Sequence, residues 1–281
     1  MAEGSRESSR DPRKVAFITG ASRGIGRASA IALAQRGFDV VVTARTLVEG
    51  QTADGRPLPG SVETTAQAVR EAGQEALPLP LDLLDRSSIA AAVDHTLAQW
   101  GHIDVLLNNG IYTGPASMQH FLELDMESIE QLFSANFFSQ IHITAMVLPH
   151  MLERKTGVVI NMVSGAGLSD PPAPAGEGGW GFAYGASKGA LHRMVGVLAV
   201  EHRNSGVRFH NLEPGFVMTE AMKLNDPDGA LEKFQKPAPP SVPASAIAWL
   251  ASESEAEEWN GQTLFAQKFA LDRGLHEDWR A

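Results

Sequence analysis

VAFITGASRGIG, residues 15–26, is the stretch on which the fold of this chain turns. VAFIT is a short apolar run of the kind that forms a strand covered on both faces. Gly20, Gly24 and Gly26 follow at once, and a helical pattern then runs towards Gly37. A strand that ends in a glycine turn and opens a helix begins a dinucleotide-binding unit. Its glycines permit a tight turn, close approach of a pyrophosphate and close packing of helix on strand. Ser22, Arg23 and Ile25 lie in the same turn and share the expected cofactor contact.

The rhythm set there continues. VVVT (40–43), ALPLPL (76–81), VLLN (105–108), VVINMV (158–163), VRFHNL (207–212) and TLFAQ (263–267) read as further strands. Between them lie helical patterns around 62–72, from Ser87 to Trp100, from about Met126 to Leu152, from near Tyr184, and near 244–251. Apolar strands alternating with helices predict a parallel sheet covered on both faces. Right-handed crossovers make it a single doubly wound Rossmann-type α/β domain of seven strands over 14–281, with its ligand crevice at the carboxyl ends of the strands. Two segments rich in Gly and Pro, 46–61 and 168–182, are loops. The second leaves a strand end and leads straight to Tyr184, so it is expected to border the crevice.

Composition narrows the function classes. With 23 basic and 33 acidic residues in 281, the net charge is −10, which disfavours nucleic-acid and anionic-membrane partners. There is no cysteine, which excludes disulfides, thiolate metal sites and cysteine nucleophiles, and no metal site is expected. The first 13 residues are polar, carry no apolar leader core, and read as a disordered tail. No apolar run approaches the length of a membrane span, so a cytoplasmic protein is expected.

The end of the second strand bears on cofactor choice. NAD-binding chains place an acidic side chain there for the ribose hydroxyls. Here the residues are Thr43, Ala44 and Arg45, with no carboxylate before Glu49. Arg45 and Arg23 match a 2′-phosphate, so NADP(H) is favoured, with NAD(H) possible.

FAYGASKGALHRM (182–194) puts one of the two tyrosines, Tyr184, one helical turn before Lys188. Taken together, TGASRGIG, Asn108-Asn109-Gly110, Tyr184-x-x-x-Lys188 and PGFVMT (214–219), in that order, closely resemble the short-chain dehydrogenase/reductase family from about Lys14 to Leu271. The resemblance implies an oxidoreductase that interconverts an alcohol and a ketone or aldehyde. It implies catalytic roles for Asn136 (a helix kink supporting a proton relay), Ser164 (binding the substrate oxygen), Tyr184 (proton transfer) and Lys188 (holding the nicotinamide ribose). It further implies cofactor contacts from Asp82 with Leu83, from Asn109 with Gly110, and from Pro214, Gly215, Val217 and Thr219. Asn108 is expected to brace the sheet. Subunit pairing into a homodimer or homotetramer is implied as well.

Three departures stand out. Gly110-Ile111 replaces the family's Ala-Gly, and the Ser164–Tyr184 gap is long, so Ser164 is selected by its place after VVINMV, with Ser169 as the alternative. The C-terminal part, TLFAQKFALDRGL, lacks the customary Asp-Gly-Gly.

The chemistry fits these residue types. Carbonyl reduction builds negative charge on oxygen and needs a proton donor with fixed hydrogen bonds. Residues at i and i+4 share a helix face, so the Lys188 ammonium is expected to pull the Tyr184 phenol below its free value. Pro172, Pro174, Trp180, Phe182, Phe216 and Met218 suggest an apolar small-molecule pocket. The competing class is a dinucleotide-binding sensor without turnover, which would need the glycine cradle but not the proton donor.

Overall fold

The computed structural model describes residues 13–49, 57–225, 228 and 236–281. Most of the expected tail lies outside these residues. Arg13 is anchored, its guanidinium 2.9 Å from carboxylate oxygens of Asp39 and of Glu75.

Seven strands form one sheet in the order β3-β2-β1-β4-β5-β6-β7. They are β1 (Lys14–Thr19), β2 (Phe38–Ala44), β3 (Ala76–Pro80), β4 (Val105–Asn108), β5 (Gly157–Met162), β6 (Val207–Glu213) and β7 (Thr263–Phe265). Every pairing is parallel, so all seven carboxyl ends share one edge. The order reverses between β1 and β4, which opens a crevice beside the glycine turn.

Side chains alternate along each strand, so Ala16 and Ile18 of β1 enter one core while Val15 and Phe17 enter the other. The first core is closed by α1 (Gly24–Gln35), α2 (Val62–Glu71) and α8 (Ser241–Ser252), the second by α3 (Arg86–Trp100), α5 (Ser139–Arg154) and α6 (Phe182–Glu201). The absence of polar alternation in the strands follows from this double cover.

The structure departs from the expected elements twice. The long helix from Met126 is split into α4 (Met126–Phe133) and α5 by a π-turn at Ser134–Phe138. The seventh strand stops at Phe265, and α9 (Ala266–Asp272) begins where strand was expected. Short α7 (Glu220–Asn225) follows the PGFVMT segment. No helix among the described residues is long and apolar enough to cross a membrane.

Two buried polar groups on the central strands matter for stability. Asn108 donates to Thr144 Oγ1 at 3.0 Å and to Asn161 Oδ1 at 2.9 Å, which ties β4 to α5 and β5 and confirms it as a brace. His210 on β6 is fully buried; its Nδ1 lies 3.0 Å from the Trp259 carbonyl and its Nε2 has no partner among the described residues. Burial pushes this imidazole down to about 4. The unfolded chain therefore takes up a proton near pH 6.5 that the folded chain refuses, and stability falls as pH drops from about 6.5 towards 4, by up to about 3 kcal/mol. Urea midpoints measured between pH 7 and 5 should fall in the wild type. The slope should flatten in His210→Leu, even if that variant is less stable throughout.

Candidate active site

The glycine turn works through close contact. Gly20 and Gly24 have φ of +66° and +56°, a left-handed backbone that favours glycine. A Cβ on Gly26 would lie 2.3 Å from the Gly20 carbonyl oxygen, so α1 meets β1 only because that position is bare. Asn109 secures the turn from β4: its Nδ2 donates to the carbonyls of Thr19 (2.9 Å) and Gly20 (3.2 Å). The backbone N–H groups of Asn109 and Gly110 both donate to Thr19 Oγ1. Gly110 leaves little room, since a Cβ there would lie 3.1 Å from Leu83 Cδ1 and 3.2 Å from Thr19 Oγ1.

The N-terminus of α1 already draws negative charge: Gly24 N–H donates to Glu220 Oε2 at 2.9 Å. A helix start with free N–H groups attracts anions, and here the chain's own Glu220 carboxylate takes that place. The two arginines divide their roles. Arg23 donates through Nε to the Pro59 carbonyl and through Nη2 to the Gly60 carbonyl at 2.7 Å, and burial lowers its pKa. It clasps the end of the 46–61 loop onto the glycine turn. Arg45, at the end of β2, is exposed and stands close enough to Arg23 for their charges to repel. Residues 50–56 of that loop lie outside the described residues.

Asp82 follows β3, where its Oδ1 accepts from Leu84 N at 3.0 Å, and Leu83 is buried, with its carbonyl accepting from Ser139 Oγ. On the far side of the crevice, Gln267 Nε2 donates to the carbonyls of Pro214 (3.1 Å) and Phe216 (3.0 Å). This clasp shapes the turn at Gly215, whose φ is +70°. Val217 is buried and bridges to Ala238, while Thr219 immediately precedes α7. Gln267 carries the C-terminal contact from the start of α9, in a segment that departs from the expected Asp-Gly-Gly.

The centre of the crevice brings Ser164, Tyr184 and Lys188 together. Ser164 caps the short 3-10 turn Gly165–Gly167, and its Oγ accepts from Ala166 N at 3.2 Å. That turn packs directly on α6: a Cβ on Gly167 would lie 2.5 Å from Gly189 N, and one on Gly185 would lie 2.9 Å from the Ala166 carbonyl. Here is the reason for the low bulk around Tyr184: the glycines let the turn bearing Ser164 touch the helix backbone. Ser169, the alternative, is exposed and donates to the Gly165 carbonyl instead.

Lys188 is buried, and its Nζ donates to the Met162 carbonyl at 2.9 Å. Burial pushes this amine down to about 8. The phenol of Tyr184 is raised above its usual value, chiefly by burial; a hydrogen bond from Ser164 opposes this, and the negative charge of Glu213 adds to it. The expected lowering by Lys188 is therefore not present in the chain alone. Burial dominates the phenol, and the ammonium is directed at the end of β5.

Asn136 sits in the π-turn, with Oδ1 accepting from Tyr112 N at 2.8 Å and Nδ2 donating to Tyr112 O at 3.0 Å. Its side chain is thus spent on the loop after β4, within a turn wider than a regular helix. The expected apolar lining is rearranged. Met218 is buried, Pro172 and Pro174 are exposed, and Phe182 packs edge-on against Phe121, ring centres 5.3 Å apart. Phe121, Tyr112, Glu213, Glu220 and Gln267 escaped the sequence reading. Of these only Glu213, directly before Pro214 at a strand end, carried a positional signal.

Comparison with known proteins agrees with this fold. Residues 14–229 match the family model described as short chain dehydrogenase. The chain is 34% identical over 210 residues to mouse dehydrogenase/reductase SDR family member 7, covering 74% of this chain and 57% of that protein. It is 30% identical over 246 residues to cis-4-hydroxycyclohexanecarboxylate dehydrogenase of Sinomonas cyclohexanicum, covering 86% and 90% of the two chains. Among solved structures, a metagenomic short-chain oxidoreductase in complex with NADP superposes with a TM-score of 0.69 at 27% identity, over 90% of this chain and 96% of that one. Family model, relatives and parallel sheet agree: the chain belongs to the short-chain dehydrogenase/reductase family of oxidoreductases.

Proposed function

We propose that this protein is an NADP(H)-dependent oxidoreductase that interconverts an alcohol and a ketone or aldehyde on an apolar small molecule. The observation that carries the reading is the grouping of Ser164, Tyr184 and Lys188 at the carboxyl edge of the sheet, beside the glycine turn. When bound, the nicotinamide supplies the hydride in reduction and accepts it in oxidation.

The chain's residues do the rest. Gly20, Ser22, Gly24, Ile25 and Gly26 form the cradle for the phosphates, and exposed Arg45 supplies a cation for a 2′-phosphate while Arg23 fastens the loop above it. Asp82, Leu83, Asn109 and Gly110 line the adenosine side, and Pro214, Gly215, Val217 and Thr219 cover the opposite wall. Ser164 Oγ holds the substrate oxygen, and the Tyr184 hydroxyl gives that oxygen its proton as the carbonyl becomes an alcohol. Lys188 holds the nicotinamide ribose and balances charge beside the phenol. Asn136, by keeping the π-turn open, supports resupply of the proton. The NADP bound by a similar solved structure supports the cofactor choice. Exposed Phe138 and Ile141 on the Asn136 helix and Val197 and Val200 on α6 support pairing of subunits through these faces.

A spectrophotometric screen of ketones and alcohols with NADPH and NADH tests the reading, and turnover with neither nucleotide would overturn it. In Arg45→Asp, a charge-assisted phosphate contact becomes a repulsion. Preference for NADPH should fall by about tenfold to a hundredfold relative to NADH. An unchanged ratio of kcat/KM values would overturn the cofactor assignment.

A further inference from the structure

Glu213 ends β6 on the edge where Ser164 and Tyr184 meet. Alternation along the strand turns it to the same face as Asn211, whose Nδ2 donates to the His192 carbonyl of α6 at 2.9 Å. The carboxylate is held at two points. Oε1 accepts from Gly165 N at 3.2 Å, in the turn that Ser164 caps, and Oε2 accepts from Gly215 N at 3.0 Å, in the turn begun by Pro214. Both partners are backbone N–H groups, and no cation among the described residues is paired with it in either contact. An acidic side chain is thus fixed by the two loops that wall the reaction centre, close enough to Tyr184 for its charge to oppose the phenolate.

We propose that Glu213 is the charge-setting residue of this centre. Resting on the oxidoreductase reading above, its carboxylate adds to burial in keeping the Tyr184 hydroxyl a hydrogen donor and repels anionic carbonyl compounds, so that the site favours reduction of uncharged substrates. Among the described residues no cation is paired with that carboxylate. Lys188, on the same helix as Tyr184, directs its Nζ to the Met162 carbonyl. Ser164 is neutral. Glu127 and Glu130 on α4 are exposed to solvent, and Arg208 lies at the opposite end of β6, where it donates to the Glu253 carbonyl. Water screens the first two, and strand length separates the third.

The chain holds two tyrosines, Tyr112 and Tyr184, so the phenol can be followed directly. In full-length protein carrying ring-labelled tyrosine, NMR titration gives two resonances, and Tyr112→Phe assigns them. In Glu213→Gln the Tyr184 midpoint should move to lower pH, and Glu213→Asp, which keeps the charge, should restore it towards the wild type. The resonance reads Glu213 without any substrate, so it stands even if the enzymatic reading fails. A second measurement needs no variant. Wild-type kcat/KM for an uncharged ketone should exceed that for its carboxylate-bearing analogue by about tenfold or more, and Glu213→Gln should narrow the gap. An unmoved Tyr184 midpoint in Glu213→Gln would overturn the proposal, as would equal wild-type use of the two ketones. So would a loss of kcat by the same factor at every pH and for both substrates, which is the mark of simple bracing.

Discussion

Replacing Tyr184 with Phe is expected to lower kcat by about 10²- to 10⁴-fold, the usual contribution of a positioned proton donor. The phenyl ring fills the same space beside the Ser164 turn, so the fold should be kept. Cofactor affinity should change by no more than about tenfold, since at most one hydrogen bond is lost. Binding measured by fluorescence titration and turnover measured at 340 nm separate the two effects. Retained binding with lost turnover supports the enzymatic reading, whereas unchanged turnover would favour a sensor. The raised phenol also sets a direction with pH. Oxidation of an alcohol needs the phenolate, so that rate should climb as pH rises, and reduction should be favoured near neutrality.

Lys188→Met should separate stability from function in the opposite sense. The folded chain holds this amine down to about 8 against 10.5 for a free lysine, because burial disfavours the charged form. Below pH 8 the amine is charged in both states, and the folded state bears a desolvation cost of about 3 kcal/mol. Between pH 8 and 10.5 the unfolded chain binds more protons, so wild-type stability should rise with pH across that window. Methionine has similar length and no charge. The variant should gain about 1–3 kcal/mol at pH 7 after loss of the bond to the Met162 carbonyl, and the gain should vanish above pH 10.5. Chemical denaturation at pH 7 and pH 10.5 measures both values. Turnover should fall by about 10²-fold or more, since charge beside the phenol is lost. A Lys188→Met protein that is less stable at both pH values would sink the account of this lysine as a group held against its own solvation.

Much of this was legible in the residues. The glycines at 20, 24 and 26, the apolar strands and the Tyr184–Lys188 spacing are local signals, and local signals suffice where backbone geometry restricts residue type. Gly26 illustrates this: the absence of a side chain in the sequence is the contact with the Gly20 carbonyl in the fold. The π-turn at Ser134–Phe138 was not legible, because apolar periodicity continues through it and only the exchange of bonds between Asn136 and Tyr112 requires it. Nor was the early end of β7, since helix and strand compete closely over TLFAQ and the clasp of Gln267 on the Pro214 turn decides the matter.

By itself the sequence determined the class of fold, the glycine turn between β1 and α1 and the spacing of Tyr184 and Lys188 on one helix, because each depends on neighbours a few residues apart. Tertiary structure alone decided which charges those groups feel. Arg23 clasps the loop at Pro59 and Gly60, Lys188 is directed to the end of β5, and Glu213 and Glu220 are delivered from remote segments to the turn that Ser164 caps and to the glycine turn. Burial and long-range contact set electrostatics in a folded chain, and neither is a property of spacing along the sequence.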